Sequence, residues 1–252
     1  MHRFISGALY PLYAVTVLGR APRLWRYVLL PMLVNLLVGV TLYAALLFAG
    51  LSAIDGLVAG LPAWAVALGA LLRVLLIVGL LIATGFVLVR FGVVLGSPWY
   101  TQLSAELELL RGGLLLPEQG AGLPTALRDL SRALAFEFRK LLLVVAICAL
   151  LLLLNLLPVA GQLLATAGWI ALGATITCLD FFDYPLERRL LSFRAKLGVI
   201  RRSLPASAGF GLACLGLVSI PFVNLLSIPL CVAAGTLFFC DRVAPVLALR
   251  QD

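Results

Sequence analysis

The sequence predicts an all-α integral membrane protein with two long transmembrane helices, two hydrophobic helical hairpins and amphipathic basic helices between them. Three observations predict it. Of 252 residues, 63% are hydrophobic and 12% charged, against about 45–50% apolar and about 25% charged in an ordinary soluble domain. Three long runs, 27–50, 141–179 and 203–240, contain no charged residue. The formal net charge is +8, and the basic residues gather between the apolar runs rather than within them.

No stretch has the polarity of a separate soluble domain, so residues 1–252 read as one membrane domain. At its start, Arg3 precedes an apolar stretch from Phe4 to Leu18, which has the look of a secretory leader. Tyr10-Pro11 interrupts the stretch, and no small-x-small cleavage pattern follows. It reads as a retained interfacial helix that leads to Arg20, Arg23 and Arg26.

The first span is 27–50, whose 24 residues extend about 36 Å as a helix, enough to cross a hydrocarbon core of about 30 Å. Pro31 is placed in its first turns, where amides have no helical partner in any case. Asp55, Gly56, Gly60 and Pro62 mark a turn, and the second span follows over 63–95, interrupted by Arg73 and Arg90. Arg73 is expected to snorkel toward the far interface.

Cytoplasmic helices are predicted over 97–140. Gly96-Ser97-Pro98 has the form of a helix start, with Ser97 as N-cap and Pro98 at the first helical position. That helix carries Glu106 and Glu108 and stops at Gly112-Gly113. After a loop from Leu114 to Pro124, a second helix runs over about 125–140. Leu127, Leu130, Leu134 and Phe138 lie on one face of it, with Arg128, Arg132 and Arg139 off that face.

The run 141–179 is broken near its middle by Asn155, Pro158 and Gly161, and 203–240 is broken at Pro221 and Asn224. These are two hairpins, joined by a basic connector over 186–202. Arms of about 17 residues reach only about 25 Å, short of the hydrocarbon core. Tight full crossings and re-entrant loops both satisfy that length. The reading adopted is re-entrant, with tips at Pro158 to Gly161 and Pro221 to Asn224 covered by other subunits or by the rest of the chain, because uncovered backbone polar groups do not persist in lipid.

The basic segments before the first span, between the second span and the first hairpin, and between the hairpins all fall on one side. That side is taken as cytoplasmic, with both termini there too. The positive charge is a membrane-surface signal, because no basic patch is interleaved with stacking aromatics as a nucleic-acid groove requires.

Enzyme chemistry finds no purchase here. The one histidine is His2, and the zinc-helix, phosphate-loop, dinucleotide and serine-elbow patterns are absent from the sequence. No metal or cofactor is expected. The five cysteines, Cys148, Cys178, Cys214, Cys231 and Cys240, sit in apolar segments and read as small hydrophobes. Asp180 and Asp183 are read as a capped helix exit ended by Pro185, in preference to a proton relay. The cluster Arg20-Ala-Pro-Arg23-Leu24-Trp25-Arg26-Tyr27 admits two readings. It is an oxyanion site built from arginines and free helix amides, or a positive anchor with an aromatic belt of Trp25 and Tyr27.

The sequence resembles the CysZ sulfate transporters and the wider EI24-domain membrane proteins. The resemblance runs from about Leu9 to Arg242. It rests on Arg26-Tyr27-Val28-Leu29-Leu30-Pro31 with Asn35, on Ser97-Pro98 with Leu103-Ser104-Ala105-Glu106, on Asp183-Tyr184-Pro185, and on Ile220-Pro221-Phe222-Val223-Asn224-Leu225 with Pro229. It implies two spanning helices, two partly penetrating hairpins, a homo-oligomer, and sulfate uptake that feeds cysteine synthesis. The family's short sulfate-holding stretch, glycine-hydrophobe-arginine-arginine, corresponds here to Arg23, Leu24, Trp25 and Arg26. Arg26 keeps the second arginine, whereas Arg23 stands at the glycine position and Trp25 at the first arginine position.

The resulting expectation is an inner-membrane sulfate permease or channel-like protein. Arg23 and Arg26 gather sulfate or a related oxyanion, and the hairpin residues Pro158, Gly161, Pro221 and Asn224 line or support the path. The alternative is a non-transporting scaffold whose hairpins and basic helices shape membrane lipids from one leaflet.

Overall fold

A computed structural model describes residues 1–59, 62, 65–112, 123–157, 159–220 and 223–248. The described residues are helical almost throughout and contain no strand. Pro158, Pro221, Gly60 and most of the 114–124 loop lie outside them, so nothing follows about those four predictions.

The N-terminal stretch forms two helices, α1 (His2–Ala8) and α2 (Tyr10–Arg20), rather than one. The first packs on the helix over 206–219 and the second on the helix over 223–238. Gly7 of α1 and Gly209 face each other's backbones so closely that a methyl group at either would overlap the Ala206 or the Phe4 carbonyl. Small residues of this kind let two helices touch backbone to backbone, the contact that substitutes for a hydrophobic driving force in lipid.

The first span is α3 (Trp25–Val58) and the second is α4 (Ala65–Leu110), packed side by side as a long hairpin. Because α3 begins at Trp25, Pro31 falls in its second turn and is buried there, beyond the free first-turn amides. The expected helix start at Ser97 is also corrected, since α4 runs unbroken through Gly96, Ser97 and Pro98. Packing overrides the local signal: α4 lies against α3 and also against the last long helix of the core, and Thr101 Oγ1 donates back to the Ser97 carbonyl at 3.0 Å. The predicted stop is in place, with Gly112 at φ +72°, a conformation natural to glycine.

The separate helix predicted over 125–140 is likewise continuous with the first hairpin arm, together forming α5 (Leu123–Asn155). Its partner α6 (Ala160–Glu187) holds Pro185 in its last turn and ends two residues beyond it. The arms of the first hairpin are therefore longer than its uncharged run. A short helix α7 (Phe193–Arg202), capped by the Ser192 side chain, carries the basic connector.

The second hairpin, α8 (Ala206–Ser219) and α9 (Val223–Phe238), occupies the middle of the molecule, with α1, α2, α3, α4 and α6 packed around it. The chain leaves α9 through a π-turn (Phe239–Val243) into α10 (Ala244–Ala248). Phe182, Phe210 and Phe238 stack at 4.8 and 4.9 Å between ring centroids in this core. Among the described residues, four helical stretches can cross a membrane by length and composition: Pro22–Val58, Ala67–Gly85, Ala160–Glu187 and Val223–Leu247. The chain is a multi-pass membrane protein.

Candidate anion-binding site

Ala21 leaves helical geometry after α2, and Pro22, with its fixed φ, opens a 3-10 turn (Pro22–Leu24) that leads into α3. Leu24, Tyr27 and Val28 are buried and fasten this turn to the core. Arg23 and Arg26 point outward and are exposed, and Trp25 keeps 38% of its surface. The Arg26 guanidinium donates to the Tyr27 hydroxyl and stands 4.5 Å from that ring's centroid.

The amides contribute less than a free helix start would. Leu24 N–H donates to the Ala21 carbonyl at 3.0 Å, and Trp25 N–H donates to that of Pro22. The 3-10 turn consumes the donors that the sequence reading assigned to an anion, which leaves the guanidinium groups as the cationic feature. Among the described residues, Arg20, Arg23 and Arg26 form no ion pair.

Several interior cations contrast with them in meeting carboxylates, although among the described residues Arg132 and Arg242 form no ion pair. Glu108, 3% exposed, accepts from Arg188 Nη2 at 2.6 Å and from Arg189 Nη2 at 3.1 Å. Arg188 also donates to Ser104 Oγ at 2.7 Å and to the Thr101 carbonyl at 3.1 Å. Ser104 in turn meets Thr236 Oγ1 at 2.8 Å. Two guanidiniums on one carboxylate leave a surplus positive charge, and Arg188 Nε is buried without a partner. Lys196, 2% exposed, lies between Asp183 and Glu187, while Lys140 bridges Glu137 and Asp180 at 2.8 Å each. Asp180 and Asp183 thus hold lysines from other helices rather than cap an exit. Arg111 pairs with Asp241 at 3.4 Å and contacts the Tyr13 hydroxyl. Burial raises the Tyr10 hydroxyl above its ordinary pKa, and that hydroxyl donates to Asp241 Oδ2 at 3.4 Å.

At the turn end of the α3–α4 pair, Arg73 Nη2 reaches Asp55 Oδ1 at 2.7 Å. Arg73 satisfies its charge on the neighbouring helix, an outcome between the snorkelling and interior alternatives. Of the tip residues, Gly161 is buried within its own hairpin, where a methyl group would overlap the Leu154 carbonyl, while Leu156 and Val159 beside it are exposed. Asn224 is 3% exposed, and its Oδ1 has no hydrogen-bond partner. Beside it, Ile220 and Val223 are exposed, so both tips present apolar side chains at the surface among the described residues. No group of three potential metal ligands occurs among the described residues.

Sequence reading missed the Glu108 cluster, although a signal was present. Tyr100, Leu103, Ser104, Leu107 and Glu108 recur at helical spacing, so Glu108 shares the apolar face, where an ionised carboxylate needs a partner. Lys196 is placed the same way beside Val199 and Ile200.

A family model described as sulfate transporter CysZ/etoposide-induced protein 2.4 matches residues 10–229. The chain belongs to this EI24 family. Over 233 residues this EI24 chain is 30% identical to sulfate transporter CysZ of Vibrio cholerae, across 92% of its own length and 91% of the relative's. It is 27% identical to sulfate transporter CysZ of Pectobacterium atrosepticum over 223 residues, 88% of its length and 80% of the relative's. The same identity holds to that of Salmonella typhimurium over 222 residues, 87% and 86% of the two chains. The segment matched by the EI24 model includes the arginine turn, Glu108 and the Arg188-Arg189 pair.

Proposed function

We propose that the chain is a sulfate permease of a bacterial inner membrane, with both termini cytoplasmic, supplying sulfate for assimilation into cysteine. Its relatives named as sulfate transporters match it nearly end to end. The carrying observation is the contrast in neutralisation: Glu108, Asp183, Glu187 and Asp180 engage interior cations, while Arg23 and Arg26 stand exposed with no carboxylate. A divalent oxyanion with guanidinium donors makes charge-assisted hydrogen bonds, and a site of only two arginines releases it readily, as passage requires. Leu24 and Trp25 frame the site, the one as anchor and the other as its exposed apolar wall.

The hairpins form the supporting part of the path. Asn224 offers a buried, unpartnered carbonyl oxygen at the second tip. The exposed first tip around Leu156 and Val159 has non-helical backbone that lipid cannot satisfy, which favours a homo-oligomer in which a second copy covers it.

The test is uptake of labelled sulfate by liposomes containing the purified protein. Uptake above empty liposomes, reduced on the order of tenfold by the double substitution Arg23→Ala/Arg26→Ala, fits the loss of two charge-assisted contacts. Equal flux in the double variant removes the assigned site, and no flux in the unaltered protein removes transport in favour of a scaffold.

A further inference from the structure

A second basic feature lies away from the arginine turn. Arg3 at the start of α1, Arg202 at the end of α7 and Arg242 in the π-turn line a half-open groove of about 240 Å³ floored by Val199, Leu204 and Val246. The groove joins three segments distant in sequence, so it is a product of the tertiary fold. Among the described residues no carboxylate lines it. Arg242 is held in place, donating from Nη2 to Ser6 Oγ at 2.8 Å and from Nε to the Tyr10 hydroxyl at 3.4 Å. Its guanidinium also lies 5.9 Å from the Tyr10 ring centroid and 5.8 Å from that of Phe238. Arg3 and Arg202 are exposed and, among the described residues, form no ion pair. Leu204 and Val246 each leave 51% of their surface open beside them.

Three guanidiniums with no carboxylate among the described lining residues select an anion, and the adjoining aliphatic floor selects one that carries an apolar portion. A free sulfate or phosphate uses only the first of these features. We infer that this groove binds the phosphodiester headgroup of an anionic phospholipid, with the glycerol and upper acyl chain over Leu204 and Val246. Guanidinium is suited to the role because its planar fork engages two phosphate oxygens at once. The surrounding bilayer supplies the ligand, and anionic leaflets draw cationic segments of this kind to their surface.

The experiment measures lipid retained by the full chain in detergent by native mass spectrometry, offering dioleoylphosphatidylglycerol or dioleoylphosphatidylcholine. The expected result is preferential retention of phosphatidylglycerol by on the order of tenfold, lost in Arg3→Gln/Arg202→Gln, which alters only exposed arginines. Arg201→Gln, a neighbouring exposed arginine that does not line the groove, should retain the preference. Leu204→Ser/Val246→Ser should weaken lipid retention without touching a charge, and this variant also decides the matter if the arginine variant fails to fold. Loss of preference to the same extent in Arg201→Gln would mean general surface attraction and overturn the site. Full displacement by millimolar inorganic phosphate, with no effect of the floor variant, would mean a small-anion site and overturn the lipid assignment.

Discussion

Glu108 Oε1 lies 2.6 Å from Arg188 Nη2, and these residues are brought together from positions 80 apart in the chain. One carboxylate from α4 fastens the segment that follows α6, and Arg189 shares it. Removing it leaves two largely buried guanidiniums facing each other. Glu108→Gln is expected to lower stability by about 3 kcal/mol, the cost of breaking a buried pair from one side. Thermal unfolding in detergent measures it. Adding Arg188→Gln should recover part of the loss, and a double variant as unstable as the sum of the singles would refute the coupling.

The α1–α8 contact predicts a size effect that polarity does not share. Because a methyl group at Gly7 or Gly209 meets a backbone carbonyl rather than a movable side chain, either glycine-to-alanine change should cost about 1–3 kcal/mol. Gly19 has open space around its would-be Cβ, so Gly19→Ala is the matched control. Equal melting of all three variants would show that α1 does not pack as described.

Arg23 and Arg26 are exposed and form no ion pair among the described residues, so replacing both with alanine should change stability by no more than about 0.5 kcal/mol. A parallel melt beside the sulfate-uptake assay checks this. Unfolding of the double variant would make any loss of flux uninterpretable as a binding effect and would contradict the exposure of the turn.

Arg73 and Asp55 keep 44% and 62% of their side chains exposed. If this end of the α3–α4 hairpin meets water, Asp55→Asn should cost less than about 1 kcal/mol, and less still at high salt. A loss of several kcal/mol, insensitive to salt, would instead place the pair in hydrocarbon.

Much of the fold was legible along the chain. Uncharged runs fixed where helices could enter lipid, and the breaks at Asn155, Gly161 and Asn224 fixed where they fold back. Gly112 marked a true stop, at a φ that disfavours other residues. The arginine turn was legible as well, because three arginines beside an apolar span stand out against a chain with few charges.

Local signals failed where packing outweighed them. Ser97-Pro98 resembles a helix boundary, yet α4 continues through it, since it has neighbours that favour its continuation, whereas α6 ends two residues beyond Pro185. The amides of the arginine turn were misjudged because a 3-10 turn at Pro22 takes them up.

By itself, the sequence determined the solvent: composition and charge-free length require a bilayer, and no arrangement of these residues would dissolve in water. Which hairpin forms the centre, which carboxylate neutralises which arginine, and which arginines remain open were decided only by the tertiary structure. Apolar periodicity records that a face is buried but carries no label for its partner. Pairings between residues such as Glu108 and Arg188 therefore exist only once the helices have packed.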